Sequence, residues 1–479
     1  MKTRWEHDLI GDMELDDSNY YGIQTTRGMK YTPGTGLTMN VEEKELIYYL
    51  AVVKKAAALA NGDIGAIPSD ISKAIAQACD EVMSGKYNDQ FEVDLFTGGG
   101  GITPHMNMNE VLANRASEIL TGKKDYANVH PNTHVNKCQS TNDVFPTAIL
   151  LAVHKKLLGL IEETKKLGEV FSAKSEEFRD VVKIGRTCLQ DALPITLGQE
   201  FSGYASFTKR QVKFLEEISG ECLEVPLGGT AVGTGLGCEP GYKETVDLYL
   251  KEITGWNVRL SANYFDSFQH GDLYMKISYG MKALSAGLSK ISADFRLMSS
   301  GPRAGLGEIS LPDILPGSSI MPGKVNPTLP ELMNQVCFQV SGNDTTISMA
   351  VEHCDLDLNV WESVIGKCLF ESLSVLTNSI ALFRDYCVAG IRANREICRK
   401  YAEESISLSA VISSLFGYPA GSRVAKIAAD KKISVGEAAI EAGLLTSQEA
   451  EEVLNPLNLT DCSLTEKMIR KFRLDHNKY

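Results

Sequence analysis

Tyr274, Ile277, Met281, Leu284, Leu288, Ile291, Phe295 and Met298 recur at steps that alternate three and four. An apolar stripe with that spacing is the seam of one long packed helix, roughly 36 Å from end to end at about 1.5 Å per residue. A second seam runs through Leu369, Leu373, Leu376, Ile380, Phe383 and Cys387. A third runs through Leu150, Val153, Leu157, Leu160, Leu167 and Phe171. These stripes read as core packing and call for no cofactor. They predict an all-α chain built around a central bundle of long helices. Rods of this length commonly extend into oligomer interfaces.

Strand signals almost vanish between about 143 and 389, which divides the chain into three parts. Residues 1–142 form a mixed, mainly helical part after a short amphipathic start. Helices are expected near Glu42–Asn61, Ser69–Ser84 and Asn107–Leu120, and the run from Phe96 to His105 is a glycine-rich loop. Residues 143–390 form the bundle. Residues 391–479 form a small helical part broken at Gly417–Gly421.

The composition narrows the partners. Of 479 residues, 43% are apolar and 23% charged, which excludes a disordered or collagenous chain. Lysine and arginine number 48 against 61 acidic residues, giving −13. That balance argues against a nucleic-acid or anionic-membrane partner, but not against a small anionic substrate held by a few local cations. The 11 cysteines are odd in number and contain no CxxC pair, so reduced thiols in a cytoplasmic protein are expected. The N-terminus has no apolar signal region, and no run of about 18 apolar residues predicts a membrane span. No HxH or HExxH pair suggests a metal.

Four segments between helices carry unusual polar content. One is the glycine loop with Thr103 and His105. Another is His134–Asp143, where Ser140, Thr141 and Asn142 offer hydroxyl and amide groups at a helix start. Such a start suits an anion, although a helix cap would explain one of these residues equally well. A third, Gly185–Pro194, reads as a turn ending at proline. The richest is Gly317-Ser-Ser-Ile-Met-Pro-Gly-Lys-Val-Asn-Pro327. It fails as a phosphate loop, because five residues rather than four separate Gly317 from Gly323, and Val325 stands where a Ser or Thr is needed. Lys324 beside Asn326 and two serines fits a carboxylate clamp next to a nucleophile or base.

That last segment matches the signature GSSxMPxKxNP, and the chain thereby resembles the aspartase/fumarase superfamily. Tyr20–Arg27, Asn109–Asn114 and Ser299–Gly305 extend the resemblance. Asn136-Lys-Cys-Gln-Ser-Thr-Asn-Asp143 and Asn334–Thr346 bring it closest to the aspartate ammonia-lyase branch. The resemblance implies an all-α, three-domain fold with a central long-helix bundle. It also implies a homotetramer in which three subunits contribute to each active site, and a small dicarboxylate substrate. The implied reaction is reversible elimination of ammonia from aspartate to give fumarate.

The resemblance also assigns roles. Ser318 matches the general base, acting as an alkoxide, and Lys324 the catalytic cation beside it. Ser140 and Thr141, supported by Ser319, match donors to the carboxylate that takes up charge. Thr187, Lys324 and Asn326 match positions on the other carboxylate and the leaving-group side. Asn142, Cys188 and Met321 complete the implied substrate site, with Met321 and Pro322 shaping a lid. Three positions depart from the family pattern. Ile102 stands where a carboxylate-binding threonine is usual, His105 where asparagine is usual, and Cys188 where histidine or glutamine is usual. Either Thr103 or His105 then supplies the missing donor, or the substrate differs from aspartate. A same-mechanism lyase acting on malate or on an N- or S-substituted succinate is the alternative. A non-catalytic crystallin-like role is disfavoured by the intact Ser318, Lys324 and Asn326.

Overall fold

The structure, a computed structural model, describes residues 2–475. The start is a hairpin rather than a simple amphipathic segment. Strands β1 (Thr3–Asp8) and β2 (Gly11–Asp16) pair antiparallel in alternating exposed and half-buried register. Arg27 clamps the turn, donating to both Asp8 carboxylate oxygens at 2.8 and 3.0 Å and to the Gly11 carbonyl at 3.0 Å.

Helix α1 (Lys44–Asp63) and the helix Ser69–Met83 lie close to their expected places. Helix α2 (Ile102–Thr121) starts earlier than expected, so Thr103, Pro104 and His105 belong to its first turn and not to a loop. Proline is tolerated there because first-turn N–H groups have no intrahelical partner. Gly101 precedes it at φ +83°, and a Cβ at that position would meet Phe145 Cδ1 at 2.4 Å. Only glycine satisfies both constraints.

Five long helices follow: α3 (Thr141–Glu177), α4 (Leu197–Glu221), α5 (Asp272–Met298), α6 (Thr328–Glu352) and α7 (Glu362–Tyr386). Every residue of the three apolar seams is buried. Helix α3 is long and apolar enough by composition to cross a membrane, but 78% of its most apolar window is buried inside the protein. Its hydropathy is that of a core helix. One segment of the bundle region, expected to be a turn, is a hairpin. Val182–Thr187 (β3) and Gln190–Thr196 (β4) form an antiparallel hairpin.

The chain groups into two compact units, and the boundaries fall inside the five long helices. Among the described residues, one comprises those up to 162, 213–285 and 337–377; the other comprises 163–212, 286–336 and those from 378 on. In the second, Phe295 stacks on Phe201 at 5.6 Å and on Phe383 at 5.8 Å between ring centroids. That aromatic column fixes α4, α5 and α7 together. The second unit also holds a separate C-terminal core around Ile412, Val424, Ala428 and Ala438. Capping boxes at Ser434–Glu437 and Thr446–Glu449 start two of its short helices. The expected break at Gly417–Gly421 narrows to Gly417, since Tyr418–Lys431 is helical with Pro419 in its first turn.

Candidate active site

The first unit holds the polar start of α3. Asp143, fully buried, accepts from Ser140 N–H at 2.9 Å through one oxygen and from Gly228 and Thr230 N–H at 3.1 and 2.9 Å through the other. Asn142 Nδ2 donates to the Ala231 carbonyl at 2.7 Å. Below this turn, Lys54 projects from α1 with no solvent exposure and donates to Asn136 Oδ1 and Gln139 Oε1, both at 2.9 Å. Burial pushes Lys54 down to about 7 and Asp143 up to about 7, and the attraction between the two charges opposes both shifts. The loop from Asn136 to Asp143 is therefore held from beneath by a cation and from the side by backbone donors.

That arrangement leaves the three polar residues in different states. Ser140 Oγ only accepts a long bond from Asn142 N–H, at 3.3 Å, so its own proton is uncommitted. Thr141 is buried and its Oγ1 lies 2.7 Å from His105 Nδ1. His105 is itself 1% exposed, so it stands behind Thr141 and does not face outward. Ile102 and Thr103 instead line an open cavity of about 990 Å³ together with Arg27, Tyr31, Met106 and His130.

The second unit holds two further constellations. The hairpin β3–β4 turns through Cys188 and Leu189, whose φ angles are +53° and +59°. A two-residue turn with both residues left-handed costs about 1–2 kcal/mol for each non-glycine residue. Such strain persists only where the flanks fix it. Here Arg186 donates to Glu308 at 2.7 Å, and Lys183 lies 2.8 Å from Glu200 and 3.3 Å from Glu308. The result is that Thr187 and Cys188 are presented at an exposed tip.

The other constellation is the segment from Gly317 to Pro327. Ser318 Oγ accepts from Ile320 N–H at 3.2 Å and from Met321 N–H at 2.9 Å. Gly317 N–H donates to the Lys324 carbonyl at 2.9 Å, and Asn326 Nδ2 donates to the Gly317 carbonyl at 2.8 Å. The loop therefore closes on itself around Gly317, where a Cβ would meet Asn326 N at 2.6 Å and Lys324 O at 2.9 Å. Ser319, Met321 and Lys324 are exposed, and Lys324 Nζ has no hydrogen-bond or ion-pair partner among the described residues. Two N–H groups aimed at one oxygen form a nest that favours negative charge on it.

Lys54 and Asp143 were not legible as site residues, although Lys54 falls on the stripe Ile47, Leu50, Ala57, and a lysine on an apolar stripe is a signal. His130 and His134, four apart, share a π-helical turn. His134 Nδ1 accepts from His130 N–H at 2.9 Å, and the described residues contain no group of three metal-ligating side chains.

Two family descriptions match: Lyase over residues 11–342 and the fumarase C C-terminus over residues 408–461. An aspartate ammonia-lyase of Bacillus sp is 44% identical over 96% of this chain and 97% of its own length. That of Escherichia coli strain K12 is 43% identical over 95% and 96%. Among solved structures, a fumarate lyase:delta crystallin from Brucella melitensis bound to cobalt superposes with TM-score 0.93 at 42% identity, covering 96% of this chain and 100% of that one. A class II fumarase from Schistosoma mansoni gives 0.92 at 35% identity, covering 96% and 99%.

Proposed function

Because this chain belongs to the aspartase/fumarase superfamily of lyases, we propose that it eliminates ammonia reversibly from L-aspartate to give fumarate. The observation that carries the reading is the Ser318 oxygen seated under two backbone N–H groups within an intact signature loop. The proton to be removed lies on the carbon next to a carboxylate and is very weakly acidic. Its removal becomes accessible only when the charge flows into that carboxylate as an aci-dianion, so donors must be fixed there in advance. Ser318 takes the proton, Ser140 and Thr141 hold the charged carboxylate, and Ser319 supports them. The C–N bond then breaks with its electron pair going to nitrogen. Ser318 returns the proton it took to solvent, and the departing ammonia takes one up, so fumarate and ammonium are released. Thr187, Lys324 and Asn326 hold the other carboxylate and the leaving-group side, with Asn142, Cys188 and Met321 around them.

A free serine hydroxyl is far too weak an acid to act as a base at pH 7. The Ile320 and Met321 N–H groups lower that cost, and the Lys324 ammonium adds to them when the loop closes over substrate. Met321 and Pro322 shape the lid.

The division at 1–142, 143–390 and 391–479 and a homotetramer with sites shared by three subunits belong to the same reading, as does a cytoplasmic location. Tyr279, Phe338 and Met349 on the bundle helices are 60%, 66% and 55% exposed, an apolar surface that suits partner helices. Light scattering should give four times the chain mass, and a stable, active monomer would contradict the shared site.

Fumarate absorbance on a panel of aspartate, malate and N- or S-substituted succinates tests the reaction. A second reading, with a larger succinate as the preferred substrate, is favoured by Ile102. It lines the open cavity, where it offers no hydroxyl to a carboxylate. A charge-assisted hydrogen bond is worth about 1.5–3 kcal/mol. If that donor is missing, Ile102→Thr should raise kcat/KM on aspartate about tenfold or more. Unchanged preference across the panel would make Ile102 neutral variation and remove the second reading.

A further inference from the structure

Cys138 and Cys238 stand 100 residues apart in the chain and meet beside the polar turn that carries Ser140. Cys238 Sγ lies 3.4 Å from the Cys138 carbonyl oxygen and 3.7 Å from the Gly228 carbonyl oxygen. Glu239 N–H donates to the Cys138 sulfur at 3.3 Å, and the Cys238 S–H reaches that same sulfur. Cys138 sits at φ +62°, a left-handed conformation that a residue other than glycine keeps only where its neighbours fix it. The Cys238 thiol and the Glu239 N–H are those neighbours.

Both loops serve the candidate site. Cys138 comes two residues before Ser140. The loop that ends at Cys238 supplies the Gly228 and Thr230 N–H groups that hold Asp143, and the Ala231 carbonyl that accepts from Asn142. A bond between the two sulfurs would therefore act on both sides of the turn. Cys138 is 4% exposed, whereas Cys238 is half-buried, with Leu236, Gly237 and Glu239 around it in sequence all exposed. The Cys238 S–H, then the Glu239 N–H and the Lys137 charge, hold the Cys138 thiol down to about 7. At neutral pH the two sulfurs thus share one proton much of the time, the state in which a thiol pair is reactive.

We propose that Cys138 and Cys238 form a modification site, at which a peroxide converts the two thiols into a disulfide that draws their loops together and switches the candidate active site off. Cys238, the more accessible sulfur, passes its proton to Cys138 and attacks the peroxide as a thiolate. An S–O bond forms, the O–O bond breaks and hydroxide leaves. That hydroxide takes the proton from Cys138, whose thiolate then attacks the Cys238 sulfenic sulfur. The S–S bond forms, the S–O bond breaks and a second hydroxide leaves. The two sulfurs give up two electrons in all, and these reduce the two peroxide oxygens to water and hydroxide. The sulfurs must close from hydrogen-bonding reach to about 2.05 Å, and Cys238 loses the S–H it offers to the Cys138 and Gly228 carbonyls. Ser140 and Thr141 move with Cys138, and a shift of about 1 Å in such groups can cost about 10²-fold in rate. Reduction by a dithiol reverses the change.

The switch rests on the proposed elimination for its readout, but formation of the bond does not. The test is brief treatment of the reduced, full-length protein with hydrogen peroxide, followed by desalting, peptide mapping without reductant and assay of fumarate release from L-aspartate. The map should show the Cys138 and Cys238 peptides joined. The kcat/KM should fall at least about tenfold and return with dithiothreitol. Cys238→Ser keeps a hydroxyl able to donate to the Cys138 carbonyl. Its untreated turnover should match wild type and should survive the peroxide. Treated wild type without the joined peptides would overturn the site, whether or not the variant folds. Joined peptides with full turnover, or equal peroxide loss in wild type and Cys238→Ser, would overturn the switch. Absence of fumarate from untreated wild type would refute the proposed reaction, while the map would still decide whether the thiol pair is a modification site.

Discussion

Ser318→Ala should lower kcat on aspartate by at least about 10²–10⁴, with the far-ultraviolet spectrum and oligomeric state unchanged. The expectation follows from the place of the side chain. Ser318 is half-buried in an otherwise exposed loop, and its oxygen is the acceptor for Ile320 and Met321 N–H. Alanine removes that acceptor, but the freed N–H groups lie at the surface and water can satisfy them. Gly317 and Asn326 still close the loop through the 2.9 and 2.8 Å bonds that do not involve the serine hydroxyl. The loss should therefore be chemical and not structural. KM should change far less than kcat, because the base acts in the transition state and contributes little to ground-state binding. Near-normal turnover by Ser318→Ala would remove the base from the mechanism.

Lys54→Met should give the largest loss of stability, about 3 kcal/mol, because it strips two amide oxygens of a fully buried, charged donor. Methionine fills most of the volume but leaves Asp143 as a buried carboxylate with no nearby cation. It also leaves Asn136 Oδ1 and Gln139 Oε1 without their shared donor. The loop that carries Ser140, Thr141 and Asn142 then loses its support, so turnover should fall together with stability. Lys54→Arg is not expected to rescue either property, because the site is fully buried and the guanidinium is larger. The check is a urea titration read beside kcat/KM: the midpoint should fall with little change in slope. An unchanged midpoint would show that Lys54, through Asn136 and Gln139, contributes nothing to holding this loop.

The fold was largely legible because a helix seam is a repeated signal. One irregular residue does not erase the stripe from Tyr274 to Met298, and all of it is buried. The hairpin from Val182 to Thr196 was not legible. Its turn residues, Cys188 and Leu189, are neither glycine nor asparagine, and Pro194 sits inside a strand. Tertiary anchors, Arg186 and Lys183 on Glu308, hold what local propensity disfavours. The start of α2 was hidden for a related reason, since four glycines and a proline argue for a loop up to His105 when Pro104 is not recognised as a first-turn residue.

The candidate site divides in the same way. The Ser318 loop could be read because its composition is extreme over a short span. The support beneath Ser140 could not, because Lys54, Asn136 and Asp143 meet only in three dimensions, 82 residues separating the first two. His105 is the instructive case. As a loop residue it would face the substrate; placed on a helix, it is buried against Thr141.

The measurement that tests the central claim most directly is paired quantification of fumarate and ammonium from purified protein and L-aspartate. Elimination by the proposed route releases the two in equal amounts, and both should vanish in Ser318→Ala. Failure of aspartate to yield either product, with fumarate appearing instead from malate or a substituted succinate, would contradict the assignment of ammonia as the leaving group.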